Sequence, residues 1–115
     1  MADAVRFAGI DGRVAIVTGG NHGIGAATAK LLAAHGARVL VSYFRLADPV
    51  EAGTPDAYRL NRARDASDIV AEIVATGGQA IAIEADLRDV ATPARLFDAA
   101  EAAFGPVEIL VNNAT

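Results

Sequence analysis

The run Val14-Ala15-Ile16-Val17-Thr18-Gly19-Gly20-Asn21-His22-Gly23-Ile24-Gly25 constrains this chain more than any other. A short apolar stretch meets a glycine-studded turn, and a helical period begins at once. A parallel strand that enters a helix through such a turn aims backbone N–H groups, with the positive end of the helix dipole, at one small volume. A diphosphate fits that volume. Gly19 permits the sharp turn, Gly23 leaves room for backbone to approach a phosphate, and Gly25 lets helix and strand come close. Gly19, Asn21, His22, Gly23, Ile24 and Gly25 are therefore the first candidate ligand contacts. Asn21 and His22 have a competing use as helix caps.

The rest of the chain repeats the strand–helix alternation. Val14 to Thr18 reads as a strand buried on both faces, because its apolar run is continuous. Ile24, Ala27, Thr28, Leu31, Leu32 and His35 share one helical face, and Gly36 supplies the stop. Val39 to Phe44 is a second strand. Residues 45–56 hold Pro49, Gly53 and Pro55 without any period and read as an extended loop, longer than the usual strand-to-helix connection. Helical spacing resumes between Ala57 and Asn61 and runs through Ala66, Ile69, Val70, Ile73 and Val74 to Gly77-Gly78. The charged residues Arg59, Arg62, Arg64, Asp65, Asp68 and Glu72 read as its solvated face. Ala80 to Ile83 forms a third strand. Thr92 and Pro93 open a third helix as N-cap and first helical residue, with Leu96, Phe97, Ala100, Ala103 and Phe104 buried. Val107 to Val111 makes a fourth strand, apolar except for Glu108, and the sequence given stops four residues later.

This alternation predicts an α/β fold with right-handed crossovers and a parallel sheet in the order 3-2-1-4. Helices cover both faces. The whole, residues 1–115, reads as one half-domain: the first mononucleotide-binding half of a doubly wound, Rossmann-type fold, truncated after its fourth strand.

Composition narrows the function. Of 115 residues, 53% are apolar, so a packed core is expected rather than disorder. No apolar run is long enough to cross a bilayer, and the N-terminus lacks the pattern of a secretory signal. The absence of cysteine excludes disulfides and thiolate chemistry and favours a cytoplasmic location. A net charge of −4 offers no basic field for nucleic acid. The two histidines, His22 and His35, suggest no metal centre.

Four collinear segments carry a family resemblance. Thr18-Gly19-x-x-x-Gly23-x-Gly25 resembles the cofactor signature of the short-chain dehydrogenase/reductase superfamily, in the spacing of its ketoreductase-like members, such as 3-oxoacyl-carrier-protein reductases. Asp11 to Val17 resembles the family's opening strand. Asp86-Leu87 resembles its acidic and apolar pair beside adenine, and Phe104 to Ala114 its fourth strand with the Asn-Asn-Ala-Gly motif. Thr115 stands where that motif has glycine. The resemblance implies an NAD(P)-dependent oxidoreductase, homo-oligomeric as a whole protein, that moves hydride between nicotinamide and a small carbonyl or alcohol substrate. It implies that Asp86 accepts the adenine amino group, that Leu87 packs the ring, and that Asn113 and Ala114 approach the ribose. Asn112 is expected to tie neighbouring backbone together.

Cofactor choice is read at the end of the second strand. An NAD enzyme often presents a carboxylate there, whereas Ser42-Tyr43-Phe44-Arg45 has none before Asp48. Arg45 suits a phosphate, so NADP is favoured over NAD. The family's catalytic serine and Tyr-x-x-x-Lys motif have no counterpart in these residues. Neither Tyr43 nor Tyr58 is followed by a lysine four residues on, and Lys30 is the only lysine. The alternative reading is therefore a truncated, non-catalytic nucleotide-binding fragment whose fourth strand leaves an open apolar edge and which is marginally stable by itself.

Overall fold

The computed structural model describes residues 9–45 and 66–114. The segment 45–56 expected as an extended loop, apart from Arg45, the expected helix start between Ala57 and Asn61, and most of the charged residues expected on that helix lie outside the described residues. Among the described residues seven elements follow in chain order: β1 (Val14–Thr18), α1 (Gly23–Ala34), β2 (Arg38–Tyr43), α2 (Ser67–Ala75), β3 (Gln79–Glu84), α3 (Thr92–Phe104) and β4 (Ile109–Val111). The sheet is parallel, in the order β3-β2-β1-β4, as the alternation predicts. β1 pairs with β2 from Val14↔Arg38 to Thr18↔Ser42, and with β4 from Ala15↔Ile109 to Val17↔Val111.

Because β1 lies between two strands and under helices on both faces, all five of its residues are buried. Ala15 and Val17 join the core under α1 and α2 with Val39 and Val41, while Val14, Ile16 and Leu40 point to the opposite core against Leu96 and Ala100 of α3. The period-2 alternation of a strand thus serves two cores at once. Among the described residues β4 pairs with β1 alone, and Leu110 on it is 48% exposed.

One expectation is corrected. The face of α1 that packs on the sheet is Gly25, Ala26, Ala29 and Ala33, not the face carrying Ile24, Ala27, Leu31 and Leu32. Ile24 and Leu31 are exposed, and Leu32 is only partly buried. The cause is distance. A Cβ on Gly25 would sit 2.2 Å from the Gly19 carbonyl oxygen, so the helix lies too near β1 for large side chains. Small residues face the sheet, and the bulky ones turn outward. Ala29→Leu should therefore destabilise the fold by about 1–3 kcal/mol through overpacking, whereas Leu31→Lys should change stability by less than about 0.5 kcal/mol. Urea denaturation of both variants checks the assignment.

α3 differs more finely from expectation. It begins at Thr92, with Ala91 as N-cap and Pro93 within the first turn. Ala103 is exposed, while Leu96 and Ala100 are buried as expected. The Thr92 hydroxyl, instead of capping, donates to the Asp86 carbonyl oxygen at 2.6 Å and pins the loop after β3.

Candidate functional site

The carboxyl ends of the strands converge on the amino end of α1. Gly19 (φ 67°) and Gly23 (φ 56°) both adopt left-handed backbone, the conformation for which glycine is suited. The turn between them is held from several sides. Gly20 donates its N–H to Ser42 O at 3.1 Å, tying the turn to β2. The Thr18 hydroxyl accepts from the N–H groups of Asn113 and Ala114, at 3.0 and 3.1 Å, and lies 3.3 Å from Val111 O, to which it donates. Asn113 Nδ2 donates to Gly19 O at 3.2 Å. The structural tie expected of Asn112 is thus made by Asn113, and Asn112 is exposed.

His22 takes the N-cap position of α1 in extended backbone (φ −157°, ψ 169°), where its side chain makes no capping hydrogen bond, and no acidic residue lies in the first turn of the helix. Its Nδ1 is instead 3.0 Å from Asn21 Oδ1. The first-turn amides of a helix have no intrahelical partner, and among the described residues no side-chain cap and no first-turn carboxylate offsets the positive helix end. A Cβ built on Gly23 would meet nothing within 4 Å. This is open space beside first-turn amides, an arrangement that suits an anion.

That space opens into a cleft of about 560 Å³, which is large enough for a small organic ligand. The structure brings Gly19, Asn21, His22, Gly23, Ile24, Asp86, Leu87, Asn113 and Ala114 together on its walls. Ser42, Tyr43, Phe44, Ala85 and Arg88 complete the lining. Gly25 stands behind the wall, where a Cβ would strike the Gly19 carbonyl and come within 2.4 Å of Asn113 Nδ2. Arg45 is not among the lining residues. Its backbone N–H and Nε reach Glu84 Oε2 at 3.0 and 3.1 Å, and its Nη2 reaches Oε1 at 2.9 Å. The β2–β3 register explains this partner: Tyr43 pairs with Glu84, which sets that carboxylate beside the strand end.

Arg88 escaped the sequence reading. Its guanidinium lies 5.7 Å from the centre of the Phe44 ring and forks onto Asp86, Nε to Oδ1 at 3.0 Å and Nη2 to Oδ2 at 2.9 Å. The available signal was an arginine two residues after a loop aspartate, a spacing that lets one backbone N–H and one side chain meet the same carboxylate. The hydrogen bonds from the Arg88 side chain and backbone hold the Asp86 carboxyl below its ordinary value of 3.8. A carboxylate lowered in the fold keeps its contribution above the ordinary value and loses it as pH falls through the lowered one. Carbon-detected NMR should place the Asp86 midpoint below 3.8 and show it return towards that value in R88Q; an unchanged midpoint in the variant would contradict the assignment.

A family profile described as "KR domain" matches residues 14–115. The short chain dehydrogenase claC of Passalora fulva is 45% identical over 104 residues, and elsinochrome reductase 1 of Elsinoe fawcettii is 43% identical over the same span. These alignments cover 90% of this chain but 33% of each relative, so the chain spans about a third of their length. Among solved structures, a short chain dehydrogenase from Burkholderia cenocepacia J2315 in complex with NADP superposes with a TM-score of 0.70 at 43% identity. That match covers 91% of this chain and 36% of the other. The hydroxysteroid dehydrogenase of Escherichia coli gives 0.72 at 36% identity, covering 100% of this chain and 40% of its own.

Proposed function

The chain belongs to the short-chain dehydrogenase/reductase family, and from that premise we propose that it forms the dinucleotide-binding front of an oxidoreductase acting on a carbonyl or alcohol. The observation that carries this reading is the uncapped amino end of α1 facing vacant space at Gly23. In this reading the residues 1–115 act as one binding half-domain. The amides at Gly23 and Ile24 hold the diphosphate, His22 and Asn21 contact the phosphate or ribose, and Asn113 and Ala114 flank the ribose. Asp86 accepts from the adenine amino group and Leu87 packs the ring. The nicotinamide supplies or takes up the hydride; this chain's share is to bind, orient and exclude water.

NADP is the proposed cofactor in preference to NAD. The end of β2 itself supplies Ser42, Tyr43, Phe44 and Arg45, none of them a carboxylate, and the neighbouring Glu84 of β3 is engaged by Arg45 and does not line the cleft. Fluorescence titration with NADPH and NADH tests both levels of the reading. NADPH is expected to bind about tenfold more tightly, the size of one modest charge-assisted contact. Equal or tighter NADH binding would contradict the preference, and binding of neither would contradict the site.

A second reading has its own support: these residues bind the dinucleotide without catalysing. Lys30, the only lysine, sits on α1 and pairs with Glu72 of α2 at 2.8 Å, far from the role of a Tyr-x-x-x-Lys partner. Catalysis, a small carbonyl or alcohol substrate, a cytoplasmic location and homo-oligomeric assembly are proposed for the protein of which such a half-domain is the front. Among the described residues no helix is long and apolar enough to cross a membrane.

A further inference from the structure

We propose that Arg88, on the loop after β3, recognises the 2′-phosphate of the adenosine ribose, in the role the sequence suggests for Arg45. The proposal rests on the dinucleotide reading above and names the residue that sets its cofactor choice.

The ribose-reading position of a doubly wound fold is the end of its second strand, about twenty residues beyond the glycine turn. Here β2 ends at Tyr43 and Phe44 follows it, and neither side chain presents a carboxylate that would hold a 2′-hydroxyl or repel a phosphate. The guanidinium of Arg88 lies over the Phe44 ring, and both residues line the cleft. The cation is therefore already where the phosphate of the ribose has to pass. Arg45 is the nearer residue in sequence, but it is turned onto Glu84 by three contacts and is absent from the lining.

Arg88 is also placed to change partners. Its side chain is 80% exposed, and its fork to Asp86 is a solvent-screened ion pair, which is weak. A phosphate dianion offers more charge and a matching geometry for the same fork. When the side chain leaves, the backbone N–H of Arg88 still donates to Asp86 Oδ1 at 2.9 Å and keeps that carboxylate in place. Asp86 then has an oxygen available for the adenine amino group. Recognition of the phosphate and of the base thus become coupled: the event that engages Arg88 is the one that releases Asp86. A ribose with a free 2′-hydroxyl leaves the Asp86–Arg88 pair closed and gains neither contact.

Calorimetric titration of the chain with adenosine 2′,5′-bisphosphate and with adenosine 5′-monophosphate tests this without any turnover. The unaltered chain should prefer the bisphosphate. R88Q should weaken bisphosphate binding about tenfold or more while changing monophosphate binding less than about threefold; R88K should recover part of the loss, and R45Q should leave the ratio unchanged. If the unaltered chain binds both nucleotides and R88Q leaves their ratio intact, or R45Q collapses it, the assignment to Arg88 fails alone. An equal loss of both ligands in R88Q also overturns it, since that is the signature of a structural role. If the unaltered chain binds neither nucleotide, the dinucleotide reading fails and takes this one with it.

Discussion

Gly25→Ala is expected to remove dinucleotide binding and to destabilise the fold together. The added Cβ would lie 2.2 Å from the Gly19 carbonyl oxygen and 2.4 Å from Asn113 Nδ2. One of those neighbours is backbone, so relief requires α1 to move away from β1 or the turn to reshape. Overpacking against such a neighbour costs about 3 kcal/mol, a large share of a small domain's stability. The same displacement moves the first-turn amides relative to one another. Losing two charge-assisted hydrogen bonds to a diphosphate removes about 3 kcal/mol of binding, or about a hundredfold in affinity. Gly23→Ala is the matched control. Its Cβ meets nothing within 4 Å, and the cost is that of a left-handed residue at φ 56°, about 1 kcal/mol. It should bind as poorly as Gly25→Ala, because the Cβ fills the space beside the amides, yet unfold much closer to the unaltered chain. Urea denaturation with nucleotide titration separates the two. Equal destabilisation of both would show that the glycines act only through the fold.

Thr18→Val should be the next most damaging change. The two side chains have nearly the same shape, so packing is kept and the hydroxyl alone is lost. Thr18 is 4% exposed, and its oxygen accepts from two backbone N–H groups on the segment after β4. Without it both donors are left unsatisfied in a part-buried site, at about 2–4 kcal/mol together. The segment Asn113–Ala114 then loosens from β1, and with it the Asn113 amide that fastens the Gly19 carbonyl. Dinucleotide affinity should fall with stability. Amide hydrogen exchange checks the route: protection at Asn113 and Ala114 should drop before protection in the centre of β2, and unchanged protection there would contradict it.

These two residues also show how much of the molecule was legible in the sequence. Strand existence, sheet order and the glycine turn followed from apolar run length and alternation, because buried parallel strands and their crossovers leave few arrangements. The family and its nucleotide-binding part followed from collinear motifs. The buried face of α1 was misread for a reason of scale: hydrophobic spacing marks large side chains, while the interface with β1 is set by the absence of side-chain volume at Gly25, Ala26 and Ala29. Arg45 was placed by its nearness to β2, but its partner Glu84 comes from β3, and only strand register brings the two together. The contact of Arg88 with Phe44 likewise joins two loops that meet only once the sheet is assembled. Thr18 entered the sequence reading only as the end of the first strand and the first residue of the glycine motif, because its two acceptor bonds depend on the position of β4.

The central claim, that the amides entering α1 grip a diphosphate, is tested most directly by following each backbone amide during a nuclear magnetic resonance titration with NADP. The account predicts saturable shifts that are largest from Asn21 to Gly25, with smaller ones at Leu87, Arg88 and Ala114. Saturable binding that leaves the amides of Asn21 to Gly25 unmoved, or no binding at all, would contradict it.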